Sequence, residues 1–212
     1  MAEADENRAQ FTKLSLSTKA DWSLIQAADK RFDAGHPQRV LALLEALGSA
    51  GSALPLSRLE HCLQAATRAH QAGEAEDYVV AALLHDVGEP YCPENHGEFA
   101  AALLRPYVDD TLHFVLTRHT VFQGYHFWHV LGGDRHARDA WRGHPAFAPT
   151  ARFCALYDET AFDRSFVSMP LAAFAPMIHR VLERPRPDFD PHPAPFRGRV
   201  VRRIRRLLRR NS

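Results

Sequence analysis

Apolar residues along this chain recur every three or four positions and do not alternate over any stretch long enough for a strand. The pattern therefore predicts helices punctuated by Gly and Pro. Thr18 followed by Asp21 has the form of a capped helix start, leading into Asp21-Trp-Ser-Leu-Ile-Gln-Ala-Ala. A second helix is expected from Gln38 to Leu47, stopping near Gly48. A third opens at Pro55 and runs through Leu59, Leu63, Ala66 and Ala69 to Gly73, and a fourth runs from about Glu74 to Gly88. After the loop Glu89 to Asn95, a fifth helix spans His96 to about Leu104. Asp109 or Asp110 caps a sixth, which carries His119. The aromatic stretch Phe122 to Leu131 reads as helical with an interruption at Gly124. Pro149 precedes a helix bearing Asp158, and Pro170 to Leu182 forms the last helix of the body. No fixed-period repeat is apparent.

The pattern changes after residue 183. Five prolines (Pro185, Pro187, Pro191, Pro193, Pro195) fall between Arg184 and Phe196, as in an extended linker. Beyond it, Val200, Val201, Ile204, Leu207 and Leu208 keep helical spacing among arginines, as in a basic amphipathic helix. The expected organisation is a helical domain over 1–183, with its motif core at 55–165, a Pro-rich linker over 184–196 and a basic tail over 197–212.

Length and composition fit one globular domain: 212 residues, 46% hydrophobic and 24% charged. No run of 18 apolar residues exists, so no spanning helix is expected. The acidic start, Met1-Ala-Glu-Ala-Asp-Glu-Asn, lacks the form of a secretory signal. Three cysteines without a CxxC pair argue against a disulfide framework and point to a cytoplasmic protein. The net charge of +1 hides an asymmetry. Eight of the 26 basic residues lie between Arg197 and Arg210, and the remaining 18 face 25 acids. The tail is expected to dock on the acidic body or to remain solvated. Weak contact with an anionic membrane ranks next, and specific nucleic-acid readout is not expected.

The candidate chemistry lies in His85-Asp86, which ends the apolar run Tyr78-Val-Val-Ala-Ala-Leu-Leu84. A charged pair carried inward by a hydrophobic helix calls for a partner or a cation. His61 lies upstream, and His96, His119 and Asp158 lie downstream, each on a different expected element, as for a site in the core of a helical bundle. Four histidines and two aspartates exceed one tetrahedral site. They suit two metals with one carboxylate bridging, and Asp86 is the natural bridge. Imidazole binds Zn, Fe, Ni or Cu, and carboxylate adds a preference for Fe, Mn or Mg; the lack of a thiolate set argues against structural zinc. Most of the 13 histidines need no special role. A lone His on an apolar face is more often packing than a ligand, and it is the full set that tips the balance. His126 lies near enough to His119 in sequence to line the site. The aromatics Phe122, Tyr125, Phe127 and Trp128 read as core, or else as a wall for a quaternary ammonium.

In this order, His61, His85-Asp86, His96, His119 and Asp158 resemble the HD-domain superfamily of metal-dependent enzymes over roughly residues 55 to 165. In detail they look most like the HD-domain mixed-valent diiron oxygenases, the group of the phosphonate-cleaving oxygenases and myo-inositol oxygenase. The segments Leu59-Glu-His-Cys-Leu-Gln-Ala-Ala-Thr-Arg-Ala and Val79-Val-Ala-Ala-Leu-Leu-His-Asp-Val-Gly88 carry that likeness, with the short gap from His85 to His96. The resemblance implies an all-α HD-type helical bundle with a central dinuclear site. His61, His85 and Asp158 would hold one iron, His96 and His119 the other, and Asp86 would bridge them. It also implies a mixed-valent Fe(II)/Fe(III) pair that uses O2 to cleave or oxidise a small polar hydroxylated substrate.

The departures concern the substrate. The family's lysine one turn after the fourth metal histidine is Gln123 here, and its basic residue after the HD-x-Gly turn is Glu89. The Tyr-x-x-Glu element expected before His61 is missing. Asp86, Glu89 and Gln123 are thus the candidate catalytic residues. Glu89 either favours a cationic or hydroxyl-rich substrate or is a solvated loop residue. The alternative function is an HD-superfamily metal-dependent phosphohydrolase acting on a phosphoester or nucleotide, for which Arg118 is the nearest candidate phosphate clamp. A non-catalytic member is disfavoured, because an unmetallated buried cluster is costly.

Overall fold

The computed structural model describes residues 8–190. Eight α-helices follow one another among the described residues, with no strand: α1 (Lys19–Ala34), α2 (His36–Ser49), α3 (Arg58–Gln71), α4 (Glu76–Leu84), α5 (His96–Leu104), α6 (Asp110–Phe127), α7 (Phe147–Phe153) and α8 (Leu171–Leu182). The all-α expectation holds. The tail 197–212 and the linker's second part, 191–196, lie outside the described residues.

Helix α4 is the hub. Every residue from Val79 to Leu84 is buried, because this short helix is apolar on all sides and has neighbours on all of them. It packs against α3 and α8, and its end meets α5 and α6. Leu83 and Leu84 are fully buried, each worth roughly 1.5–3 kcal/mol of burial relative to exposure. Helices α5 and α6 form a second packed pair, with α7 against α6. Helix α1 contributes no buried residue and touches mainly α2, so it lies outside the core.

Local chemistry sets the helix ends that matter. Ser57 and Glu60 form a capping box: the Ser57 hydroxyl accepts from the Glu60 N–H at 3.2 Å, and the Glu60 carboxylate accepts from the Ser57 N–H at 2.8 Å. This starts α3 at Arg58 rather than at Pro55, one turn before His61. Thr18 and Asp21 form the expected box at α1. Gly48 does not stop α2, which continues to Ser49. Leu59 of α3 lies where a Cβ at Gly48 would sit, so the glycine serves close helix packing instead.

Three further boundaries differ from expectation. Helix α4 ends at Leu84, not Gly88. His85 caps it, and bonds from Val87 N–H to Leu84 O and from Glu89 N–H to Asp86 O tighten the chain into turns. Gly124 does not interrupt α6. It leaves room for the Trp128 indole, which would overlap a Cβ there, and the helix runs on to Phe127 before a 3-10 segment, Trp128–Leu131. Helix α7 begins at Phe147, so Pro149 lies in its first turn, where a missing N–H costs little. It then widens into a π turn over Cys154–Asp158, closed by Glu159 N–H to Cys154 O at 2.8 Å.

Residues 184–190 are not helical. They run back onto the body, where Arg186 N–H donates to Pro106 O at 2.8 Å.

Candidate metal centre

Five elements deliver six side chains to one point. His61 comes from the first turn of α3, His85 and Asp86 from the end of α4, His96 from the start of α5, His119 from the middle of α6 and Asp158 from the π turn. His61, His85, His119 and Asp158 are almost wholly buried, while Asp86 and His96 keep a solvent edge, each with 12% of its side chain exposed. All six sequence candidates are thus brought together, in three overlapping groups able to hold a metal ion: His61, His85 and Asp86; His85, His119 and Asp158; Asp86, His96 and His119.

Each ring is oriented by its far nitrogen. Nδ1 of His85 donates to Ala82 O at 2.8 Å, that of His96 to Pro93 O at 2.8 Å and that of His119 to Leu116 O at 2.8 Å, always three residues back; Nδ1 of His61 donates to Ala161 O at 3.0 Å. A carbonyl only accepts, so Nδ1 carries the proton in all four rings and Nε2 presents a lone pair. Yet these lone pairs converge: His61 Nε2 lies 3.1 Å from His85 Nε2, and His96 Nε2 lies 3.3 Å from His119 Nε2. Two neutral acceptors do not bond to one another. Positive charge between them, a metal ion or a proton shared with the carboxylates, reconciles the arrangement, and the outward bonds to carbonyls are those that metal-ligating histidines make.

The carboxylates divide the set. Asp86 Oδ1 faces His119 Nε2 at 3.1 Å and His96 Nε2 at 3.2 Å. Its Oδ2 faces His85 Nε2 at 3.3 Å and His61 Nε2 at 3.5 Å. Asp158 Oδ1 joins His61 and His85, 3.2 Å from His61 Nε2, while its Oδ2 is buried without a hydrogen-bond partner. Two buried carboxylates amid neutral imidazoles leave negative charge uncompensated.

The titration directions express the same demand. Burial works against a charged His85, but the neighbouring Asp86 carboxylate, with hydrogen bonds to Asp158 and Asp86, carries its pKa well above the usual value. Burial likewise works against the Asp86 carboxylate, and His85, then His119 and His96, hold it well below its usual range. Both directions mark a cluster whose carboxylates favour positive charge beside them. Cys62 lies beside His85 in the same interior, but burial pushes its thiol up, so it remains protonated and offers no thiolate.

Of the two remaining candidates, Gln123 reaches the site, but toward a carboxylate: its Nε2 donates to Asp158 Oδ1 at 2.7 Å. Glu89 is partly buried, with 22% of its side chain exposed. It is ion-paired with Arg58, whose Nη1 also donates to Gly51 O at 2.6 Å. Arg58 thus gives Glu89 a cationic partner from within the chain. Arg118 stacks over Trp141, 4.7 Å from the ring centroid. His126 Nδ1 lies 3.7 Å from the Glu159 carboxylate. The aromatic run forms no wall. Phe122 is core, Tyr125 lies under Arg135 and Arg138, and Phe127 is exposed.

Sequence reasoning missed the brace behind the π turn. Tyr157 OH donates to Glu74 Oε1 at 2.6 Å, and Arg152 Nη2 reaches both the Tyr157 OH at 3.0 Å and Glu74 Oε1 at 2.6 Å. Glu74 ahead of α4 reads as an ordinary acidic helix start, and nothing local links it to residues 152 and 157.

Residues 58–161 match the family model of the HD domain. The matched span begins at the first residue of α3 and ends just beyond the π turn, so it encloses all six residues of the cluster. No curated protein shows significant similarity to the chain.

Proposed function

We propose that this chain is an HD-domain diiron oxygenase that uses O2 to oxidise or cleave a small, polar, hydroxylated molecule. The observation that carries the reading is the division of four histidine nitrogens between the two oxygens of one carboxylate. His61 and His85, joined by Asp158, would hold one iron through Asp86 Oδ2, and His96 and His119 would hold the other through Asp86 Oδ1. An all-nitrogen-and-oxygen donor set suits iron, with Mn, Mg or Ni as alternatives. Bound there, two irons would supply redox chemistry with O2 at a carbon bearing a hydroxyl.

The chain's own groups define how a substrate arrives. Asp86 and His96 hold the one edge of the cluster with appreciable exposure, and the first group carries four donors against three for the second. A substrate would therefore reach bound metals from the His96 side. Gln123 and the carbonyl acceptors keep the ligands in orientation.

A phosphohydrolase of the same superfamily would need cations beside the metals to clamp a phosphoester. Arg58, one turn before His61, has its guanidinium engaged by Glu89 and Gly51, and Arg118 is stacked on Trp141. This supports the oxygenase reading over the hydrolytic one. The test is EPR spectroscopy of protein expressed with iron, with metal analysis. A spin-coupled Fe(II)/Fe(III) signal at two irons per chain is expected. Phosphomonoesterase or nucleotidase turnover with Mn or Mg, and no such signal, would favour the hydrolase.

A further inference from the structure

Away from the metal cluster, a cleft of about 710 Å³ opens between α5, α6 and the returning segment 184–190. Its apolar floor comes from Ala101, Ala102, Val108 and Phe189, and its rim from charged side chains. Arg105 is bound to Asp110 at 2.7 Å, and Arg186 to Asp188 at 2.7 Å, so the rim's cations are matched within it. Glu98 tips the balance negative and makes no ion pair among the described residues. The cleft is thus amphipathic and acidic.

We propose that this cleft is the docking site for the chain's own arginine-rich segment, residues 197–210. Three observations point to that occupant. The first is reach: the described chain ends in the cleft wall at Asp190, and six residues intervene before Arg197, a span of at most about 20 Å. The second is charge: the segment holds eight arginines and no acid, and the cleft is net negative. The third is pattern: Val200, Val201, Ile204, Leu207 and Leu208 recur at helical spacing, offering an apolar stripe to the floor between arginines that meet the rim. Tethering makes the encounter intramolecular, at an effective concentration on the order of millimolar, which favours this site over a free partner of equal affinity. The cleft walls are the helices that carry His96 and His119, so the docked segment stiffens the pair of helices behind the second ligand group.

Trypsin reads the proposal directly, because the segment is rich in its cleavage sites. In the full chain at low salt, cleavage within 197–210 should be about tenfold slower than in a free peptide of that sequence, since protection follows the docked population. Raising salt to about 0.5 M should remove most of the protection, because rim ion pairs are screened. Glu98→Arg reverses a rim charge and Ala102→Trp fills the floor. Both variants, checked as folded by circular dichroism, should also lose protection, and neither changes a proposed metal ligand. Cleavage as fast in the full chain as in the peptide at low salt would overturn the proposal. So would protection indifferent to both substitutions, or protection that arises only when phosphatidylserine vesicles are added.

Discussion

The side-chain amide of Gln123 donates to Oδ1 of Asp158 at 2.7 Å, while the other oxygen of that carboxylate is buried with no partner. A position that the resembled family uses for a cation toward substrate is here turned inward, onto a ligand carboxylate. Gln123→Leu keeps the shape and removes the donor. Metal affinity at the group holding His61, His85 and Asp158 should weaken about 10- to 100-fold, as for other supports of metal ligands. Titration of the metal-free protein followed by calorimetry checks this, and Gln123→Glu should be worse than leucine because it sets a second carboxylate against Asp158.

The division at Asp86 predicts stoichiometry. Asp86→Ala should leave fewer than one metal per chain. His96→Ala should retain one, since the group on Oδ2 keeps its four donors. Elemental analysis of gel-filtered protein distinguishes the two. Two full equivalents in the Asp86 variant would remove the bridge from the argument.

Gly97 faces α6, and a Cβ there would lie 2.6 Å from Leu116 O and 3.0 Å from His119 Cε1. Leu116 O is the acceptor that fixes the His119 ring. Gly97→Ala should therefore cost about 1–3 kcal/mol of stability through overpacking, and should also lower occupancy of the His96–His119 group. Thermal unfolding with and without metal reads both effects: the variant should gain less stability from added metal than the parent does.

Burial acts to raise the Glu74 pKa, but the Tyr157 hydroxyl and the Arg152 guanidinium hold it below its ordinary value of 4.5. A carboxyl depressed in the folded state contributes stability above its unfolded pKa and loses that contribution as pH falls through the folded value. Glu74→Gln should thus be less stable than the parent near neutrality, and the gap should narrow below about pH 4.5. Melting temperatures of both proteins across that range test the brace.

Much of this was legible in the sequence because it rests on pattern. The apolar periodicity gave the helices, and the order of His61, His85-Asp86, His96, His119 and Asp158 gave the members of the cluster. What was not legible depends on contacts between distant residues. Gly48 and Gly124 read as breaks, yet each is there for a neighbour, Leu59 or Trp128, that a one-dimensional pattern cannot bring alongside. Glu89 read as an open acid because Arg58, its partner, lies 31 positions away. The end of α4 was placed late because an apolar run followed by His-Asp-Val-Gly continues the helical period, while the chain in fact tightens there to i→i+3 bonds.

The π turn at Cys154–Asp158 carries one residue more than an α-helical path would need for the same advance. It acts as a phase shifter: everything beyond it is rotated by about 100° relative to a regular continuation. Counting helical spacing from Phe153 therefore assigns Asp158 to the wrong face, and alignments that allow no length change here will pair its carboxylate with a neighbour's position. The same arithmetic makes the segment intolerant of single-residue deletion. Removing Leu156 would let the helix close regularly and swing the carboxylate away from His61, whereas many conservative exchanges at that half-exposed position would pass unnoticed.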